Sequence, residues 1–348
     1  MRRRVLVTGG AGFIGSALAR RIIAETSDEI LVVDKLTYAG NLHSLDEISG
    51  NSRYGFLHAD IVDEAAMRGA FASFDPDIVL HLAAESHVDR SITGPQAFVE
   101  TNVLGSCVLL QVARDHWQGL DQVRRDGFRF VHVSTDEVFG ALGADGQFDE
   151  DSPYRPNSPY AASKAAGDHL ALAWLRTYGF PVLLTNGSNT YGPCQYPEKL
   201  IPRMIINALA GQPLPVYGAG ANIRDWLHVE DHAAAILRVA ADGVIGRRYL
   251  IGGGEERTNI DVVETICAAL DDIAPDAAKN SYRRLISFVE DRAGHDFRYS
   301  VDSRLMRELG WRPRMAFARG LDETVRWYCD NRHWWQDEAS RPGVAVVG

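Results

Sequence analysis

The sequence predicts an α/β fold: a doubly wound parallel sheet with a smaller C-terminal α/β substrate domain. Three observations predict it. From residue 1 to about 185, short apolar runs alternate with helix-like segments, the texture of parallel strands buried on both faces. A glycine-rich turn follows the first apolar run and opens a helix. After about 185 Pro and Gly become frequent, as in Gly192-Pro193, Gly211-Gln212-Pro213 and Gly218-Ala219-Gly220. That second texture reads as loop-rich, and loops carry substrate contacts.

The first strand is Arg4-Val5-Leu6-Val7-Thr8, and the turn is Gly9-Gly10-Ala11-Gly12-Phe13-Ile14-Gly15. Ser16 to Ile23 continues as a helix. Glycines at 9, 12 and 15 suit a tight turn, close approach of backbone to a pyrophosphate, and close helix–strand packing. The helix N-terminus offers unpaired N–H groups to the anion. A second strand, Glu29-Ile30-Leu31-Val32-Val33, ends in Asp34. Asp34 lies close to ~20 residues beyond the turn, where a carboxylate takes the ribose hydroxyls of a dinucleotide. It would repel a 2′-phosphate, which favours NAD over NADP; Lys35 beside it leaves NADP open. This is a Rossmann-type dinucleotide pattern. Further strands fall at Gly55-Phe56-Leu57, Ile78-Val79-Leu80, Phe130-Val131-His132-Val133 and Pro181-Val182-Leu183-Leu184, with a turn at Asp75-Pro76-Asp77 and a helix from Ala97 to Val112. The expected division is an NAD-binding domain over 1–187 with a return segment at about 224–251. A nucleotide-sugar-binding domain would be built from 188–223 and 252–335.

Two short stretches carry chemistry. Tyr160 and Lys164 lie four apart, on one face of a helix. An ammonium near a phenol favours the phenolate, which makes Tyr160 a candidate base. Ser134-Thr135-Asp136-Glu137 adds two adjacent carboxyl groups after an apolar run. Dehydrogenation of an alcohol needs only the Tyr and Lys. A carboxylic acid and a carboxylate beside a hydride acceptor suggest that water is eliminated as well. Each stretch alone also has a packing or solvated-strand-end explanation; their coincidence with the dinucleotide turn carries the reading.

Among 348 residues, 46% are hydrophobic and 24% charged, the composition of a globular chain with room for two domains. A net charge of −10 argues against nucleic acid or anionic membrane as partners. Cys107, Cys194, Cys267 and Cys329 are widely spaced, which predicts neither a zinc site nor a disulfide framework and points to a reducing cytoplasm. No signal peptide or membrane span is read.

Several segments together resemble the extended short-chain dehydrogenase/reductases, and within them the dTDP-glucose 4,6-dehydratases. They are Val5 to Gly15, Asp34 to Asn41, His81-Leu82-Ala83-Ala84-Glu85-Ser86-His87-Val88-Asp89-Arg90-Ser91, Ser134 to Val138, Ser158 to Lys164, Tyr196 to Pro202, Asn222 to Trp226 and Asp291 to Asp296. The resemblance implies that Tyr160 takes the sugar 4-hydroxyl proton while hydride leaves C4 for NAD. Glu137 would then remove the C5 proton, Asp136 would protonate the departing 6-hydroxyl, and the hydride would return to C6. Thr135 would hold the 4-oxygen and Lys164 the nicotinamide ribose. NAD would further contact Gly9, Gly12, Phe13, Ile14, Gly15, Asp34, Lys35, Leu36, Thr37, Gly40, Asp60, Ile61, Leu82, Ala83, Ala84, Ser86 and Thr101.

For the nucleotide sugar the resemblance implies Ser86, His87, Asn189, Glu198, Lys199, Leu200, Pro215, Tyr217, Arg224, Asn259, Arg292 and His295. Surface ion pairing of Arg224 and Arg292, and capping or packing by His87 and His295, are the competing explanations. Trp327, Trp334 and Trp335 read as packing. The chain departs from the family pattern at Phe139, Thr190 and Ala293. A homodimer through helices near 96–116 and 160–178 is implied. A UDP-hexose 4-epimerase or UDP-glucuronate decarboxylase would need Tyr160 and Lys164 but no acid–base pair at C5 and C6. A non-catalytic NAD-binding regulator would need none of these groups.

Overall fold

The computed structural model describes residues 2–291 and 294–339. Arg292 and Ala293 therefore lie outside the described residues. Twelve strands are described: β1 Arg4–Thr8, β2 Glu29–Asp34, β3 Tyr54–His58, β4 Ile78–His81, β5 Arg129–Thr135, β6 Val182–Gly187, β7 Asn189–Tyr191, β8 Leu214–Tyr217, β9 Ile223–His228, β10 Arg248–Ile251, β11 Glu256–Thr258 and β12 Ile286–Val289. Seven of them form one sheet in the order β10-β6-β5-β4-β1-β2-β3, with every neighbouring pair parallel. The chain works outward from β1 to β3, then crosses back to β4. That reversal opens a crevice beyond the carboxyl ends of β1 and β4, where doubly wound sheets bind ligands.

These strands are apolar because helices cover both faces. The helix Phe13–Glu25 and the helix Val229–Asp242 lie on one side with Val5, Val7, Val32 and Val131. Leu6, Val79, Phe130 and Leu184 face the other side, packed with Leu109, Leu110 and Phe180.

Within 224–251, β10 extends the edge of the large sheet and the helix Val229–Asp242 covers its face. β9 instead joins β7 and β11 in a separate three-stranded sheet, and β8 pairs with β12 in parallel.

The stretch after 185 is more ordered than its Pro and Gly content predicts. Pro202 sits within the first turn of the helix Leu200–Leu209, where no helical N–H bond is lost. That helix buries Ile201, Met204 and Ile205 against Val262, Ile266 and Leu270 of the helix Asn259–Ile273. Trp334 and Trp335 are buried in the same cluster beside Tyr328, and Trp327 packs edge-on to Trp334 at 5.2 Å. The tryptophans are packing, as their positions suggested.

Candidate active site

The glycine turn closes on the loop after β4. Gly9 has φ +70°, and a side chain there would sit 2.6 Å from the Ala83 nitrogen. A Cβ on Gly15 would lie 2.1 Å from the Gly9 carbonyl. Neither position admits a side chain without moving backbone. No side chain caps the helix Phe13–Glu25, and its first turn holds no acidic residue. Its N–H groups are thus left for an anion.

The Asp34 carboxylate accepts N–H bonds from Ala11 (3.0 Å) and Leu36 (2.8 Å), which tie the turn to β2. Burial pushes its pKa up and those bonds oppose the shift. Lys35 donates to Thr101 Oγ1 at 3.0 Å and lies 3.4 Å from Asp60. Its charge is thereby partly neutralised, which weakens the case for a 2′-phosphate. A cleft of ≈ 300 Å³ runs from Asp34 past Gly9, Gly12, Phe13, Ile14 and Gly15 to Tyr160. Lys35, Thr37, Gly40, Asp60, Ile61, Leu82, Ala83, Ala84, Ser86, Thr101 and Lys164 also line it. Leu36 does not: its side chain packs against the core behind the wall. The elongated cleft, the uncapped helix and the carboxylate at one end fit an NAD molecule.

The reactive groups meet at the other end of this cleft. β5 delivers Thr135, and a 3₁₀ turn over Asp136–Phe139 follows at once, with Thr135 Oγ1 accepting the Glu137 N–H. The helix Pro159–Tyr178 brings Tyr160 and Lys164. Pro159 opens it, Ser158 caps it through the Ala161 N–H, and Gly179 ends it in the left-handed conformation. Asp136 is 2% exposed. Burial raises its pKa well above the carboxylate range, and the neighbouring charges of Glu137 and Asp225 act the same way. Thr135 donates to its Oδ1 at 3.2 Å, while Oδ2 is buried with no hydrogen-bond partner. Burial and its acidic neighbours thus favour the protonated form of Asp136.

Tyr160 departs from expectation. Burial pushes its phenol well above the usual range, Glu137 adds to the shift, and a hydrogen bond with Thr135 opposes it. The Lys164 ammonium donates to the Val133 carbonyl at 2.8 Å. It is engaged there rather than setting the phenol. Burial lowers Lys164 to about 8, with Asp168 one turn further along opposing the shift.

A second cleft of ≈ 210 Å³ adjoins the first and shares Ser86, Glu137, Asn189, Glu198 and Lys199 with it. His87, Leu200, Pro215, Tyr217, Arg224, Asn259 and His295 line it as well. Thr135 stands on the cofactor side only. Arg224 is buried. It donates to the carbonyls of Ile223, Asp296 and Phe297 and lies over the Tyr299 ring. His87 caps a helix by accepting the Arg90 N–H at 3.2 Å, and its Nε2 is 3.5 Å from Glu198. His295 contacts Asp291 at 2.7 Å. Burial raises Glu198 to about 7, and Lys199 donates to the Ser86 carbonyl at 2.7 Å.

Sequence reasoning missed Arg203, Trp226 and Tyr299 on the second wall, and Ser188, Gln195 and His232 on the first. Trp226 closes the segment Asn222 to Trp226 that carries the resemblance; the other five belong to no motif read in the sequence, and packing of distant segments brings them to the clefts.

The family model described as GDP-mannose 4,6 dehydratase matches residues 6–324. A dTDP-glucose 4,6-dehydratase of Neisseria meningitidis serogroup B is 56% identical, over 96% of each chain. The dTDP-glucose 4,6-dehydratase 1 of Escherichia coli K12 is 54% identical, over 95% of this chain and 94% of that one. The crystal structure of DesIV, a dTDP-glucose 4,6-dehydratase of Streptomyces venezuelae with NAD and dTDP bound, superposes with a TM-score of 0.88. That match is 46% identical and covers 96% of this chain and 99% of DesIV. A UDP-glucose 4-epimerase of Thermus thermophilus shares the fold at 29% identity and a TM-score of 0.82, over 94% of this chain and 99% of that one. A matched family model over most of the length, relatives above half identity and a cleft built for NAD lead to one conclusion: the chain belongs to the nucleotide-sugar 4,6-dehydratase family, among the dTDP-glucose 4,6-dehydratases.

Proposed function

We propose a division of labour among these residues for the family's reaction. The chain is an NAD-dependent hydro-lyase that converts dTDP-glucose to dTDP-4-keto-6-deoxyglucose. NAD held by the glycine turn, Asp34 and Lys164 would supply the hydride acceptor for C4 and the donor for C6, and the positive charge of its oxidised ring would favour the Tyr160 phenolate. Tyr160 accepts the proton of the 4-hydroxyl, with Thr135 hydrogen-bonded beside it. Lys164 holds the nicotinamide ribose and Asp34 the adenosine ribose. The 4-ketone acidifies the C5 proton, which Glu137 removes. Asp136, kept neutral by burial, gives its proton to the departing 6-hydroxyl. Two carboxyls held in opposite protonation states can act as base and acid in one turnover. Arg224 and Arg292 serve the diphosphate, Glu198 and Lys199 the glucose, and Leu200, Pro215 and Tyr217 the base.

The buried, neutral Asp136 beside Glu137 carries this reading, because a 4-epimerase has no step that uses such an acid. Purified protein given dTDP-glucose, UDP-glucose or UDP-galactose without added NAD separates the two. Loss of one water from dTDP-glucose is expected. Epimerised UDP-galactose with no water lost would overturn it.

A cytoplasmic homodimer belongs to the same proposal. All four cysteines are free thiols. No helix among the described residues is long and apolar enough to cross a membrane. Ile92 of the helix Val88–Thr93 and Val99 and Leu104 of the π-helical stretch Val99–Gly105 are each about half exposed, apolar surface suited to a second copy. Sedimentation equilibrium should give twice the 38.4 kDa chain mass; a monomer at micromolar concentration would exclude the dimer.

A further inference from the structure

His232 has no part in the proton transfers, yet it lines the cofactor cleft and is 2% exposed. It stands in the first turn of the helix Val229–Asp242. Its ring lies against Gly187 at the end of β6, so closely that a Cβ there would be 2.4 Å from Cε1 and 2.7 Å from Nε2. Gly187 is the register partner of Thr135 on β5. The ring is thus at the reacting end of the cleft, away from Asp34.

Its hydrogen-bond partners bear on its tautomer. Nδ1 lies 2.8 Å from Thr190 Oγ1. Thr190 has a single hydroxyl proton, which it donates to the Ser188 carbonyl at 3.2 Å. With that proton on the Ser188 carbonyl, the Nδ1–Thr190 contact is completed by a hydrogen on Nδ1, the tautomer that an accepting Nε2 requires. Nε2 is then a bare lone pair. It is buried and has no partner. Burial lowers this histidine to about 4, and the positive end of its helix also disfavours a second proton. On the same wall the Ser188 hydroxyl is buried and has no partner. An orphaned acceptor and an orphaned hydroxyl are costly unless a ligand meets both.

We propose that His232 Nε2 and the Ser188 hydroxyl receive the carboxamide of NAD, Nε2 accepting its N–H and Ser188 donating to its carbonyl. A primary amide is the group that offers one donor and one acceptor side by side. Thr190 is the residue that holds His232 in the accepting tautomer. The inference rests on NAD occupying this cleft in the orientation set by Asp34 and Tyr160.

The probe is 3-acetylpyridine adenine dinucleotide, which keeps the carbonyl but replaces the amide N–H₂ by a methyl group. Its affinity relative to NAD is read by competition against radiolabelled NAD on the purified protein. Wild type should prefer NAD by about three- to tenfold more than His232→Leu does, the size of one neutral hydrogen bond. His232→Leu should weaken NAD while leaving the analogue nearly unchanged. Thr190→Val, close in volume, should lose part of the preference, and serves if the leucine variant fails to fold. A full preference for NAD in a folded variant of either kind overturns the assignment to His232. Failure of wild type to retain labelled NAD would instead overturn the placement of the cofactor, and this inference with it.

Discussion

Asp136→Asn is expected to stop the loss of water while C4 oxidation continues. The substitution keeps shape and leaves Oδ1 able to accept from Thr135 Oγ1, now 3.2 Å away. It removes the proton that burial and the charges of Glu137 and Asp225 keep on the side chain. General acids supply about 10²–10⁴-fold, so kcat should fall by that order. In a single turnover the reduced nicotinamide band should rise and persist, because the chain can no longer expel the 6-hydroxyl. Exchange of the C5 proton with solvent deuterium should survive, since Glu137 is intact. Wild-type turnover in this variant would remove Asp136 from the role of acid.

Tyr160→Phe should abolish the first step itself. The ring is 9% exposed and stands edge-on to Phe98 at 6.3 Å, contacts a phenylalanine keeps, so the thermal midpoint should move little. Substrate should then produce no reduced nicotinamide and no C5 exchange, with a fall in kcat of at least about 10²–10⁴-fold. Lys164→Ala tests the neighbouring role. Its ammonium is buried on the Val133 carbonyl, so its loss should weaken NAD binding as well as slow oxidation. Reduced cofactor appearing in Tyr160→Phe on addition of substrate would require another base.

The sequence by itself determined those features whose physics is local. Strand, turn, helix and Asp34 stand within one βαβ unit, where the needs of a tight turn and of an anion at a helix N-terminus select particular residues at short spacing. Tyr160 and Lys164 share a helix face by periodicity alone, and Asp136 and Glu137 follow the end of β5. Segments from one end of the chain to the other carried the family resemblance. Tertiary structure decided everything that depends on which distant segments meet. The upward shift of Asp136 comes first from burial, then from Glu137 beside it, and also from Asp225 on β9, about ninety residues away in sequence. Arg224 and Arg292 read alike in the sequence; among the described residues, packing shows Arg224 turned under Tyr299 onto backbone carbonyls. Leu36 reads in the sequence as a cofactor contact beside the acidic residue; packing shows its backbone at φ +52° and its side chain against the core. His232 had no motif to announce it, because an orphaned nitrogen exists only once β6, Thr190 and its own helix are packed together. Spacing along the chain encodes hydrogen bonds within a turn or a helix; desolvation and charge coupling are properties of the assembled interior.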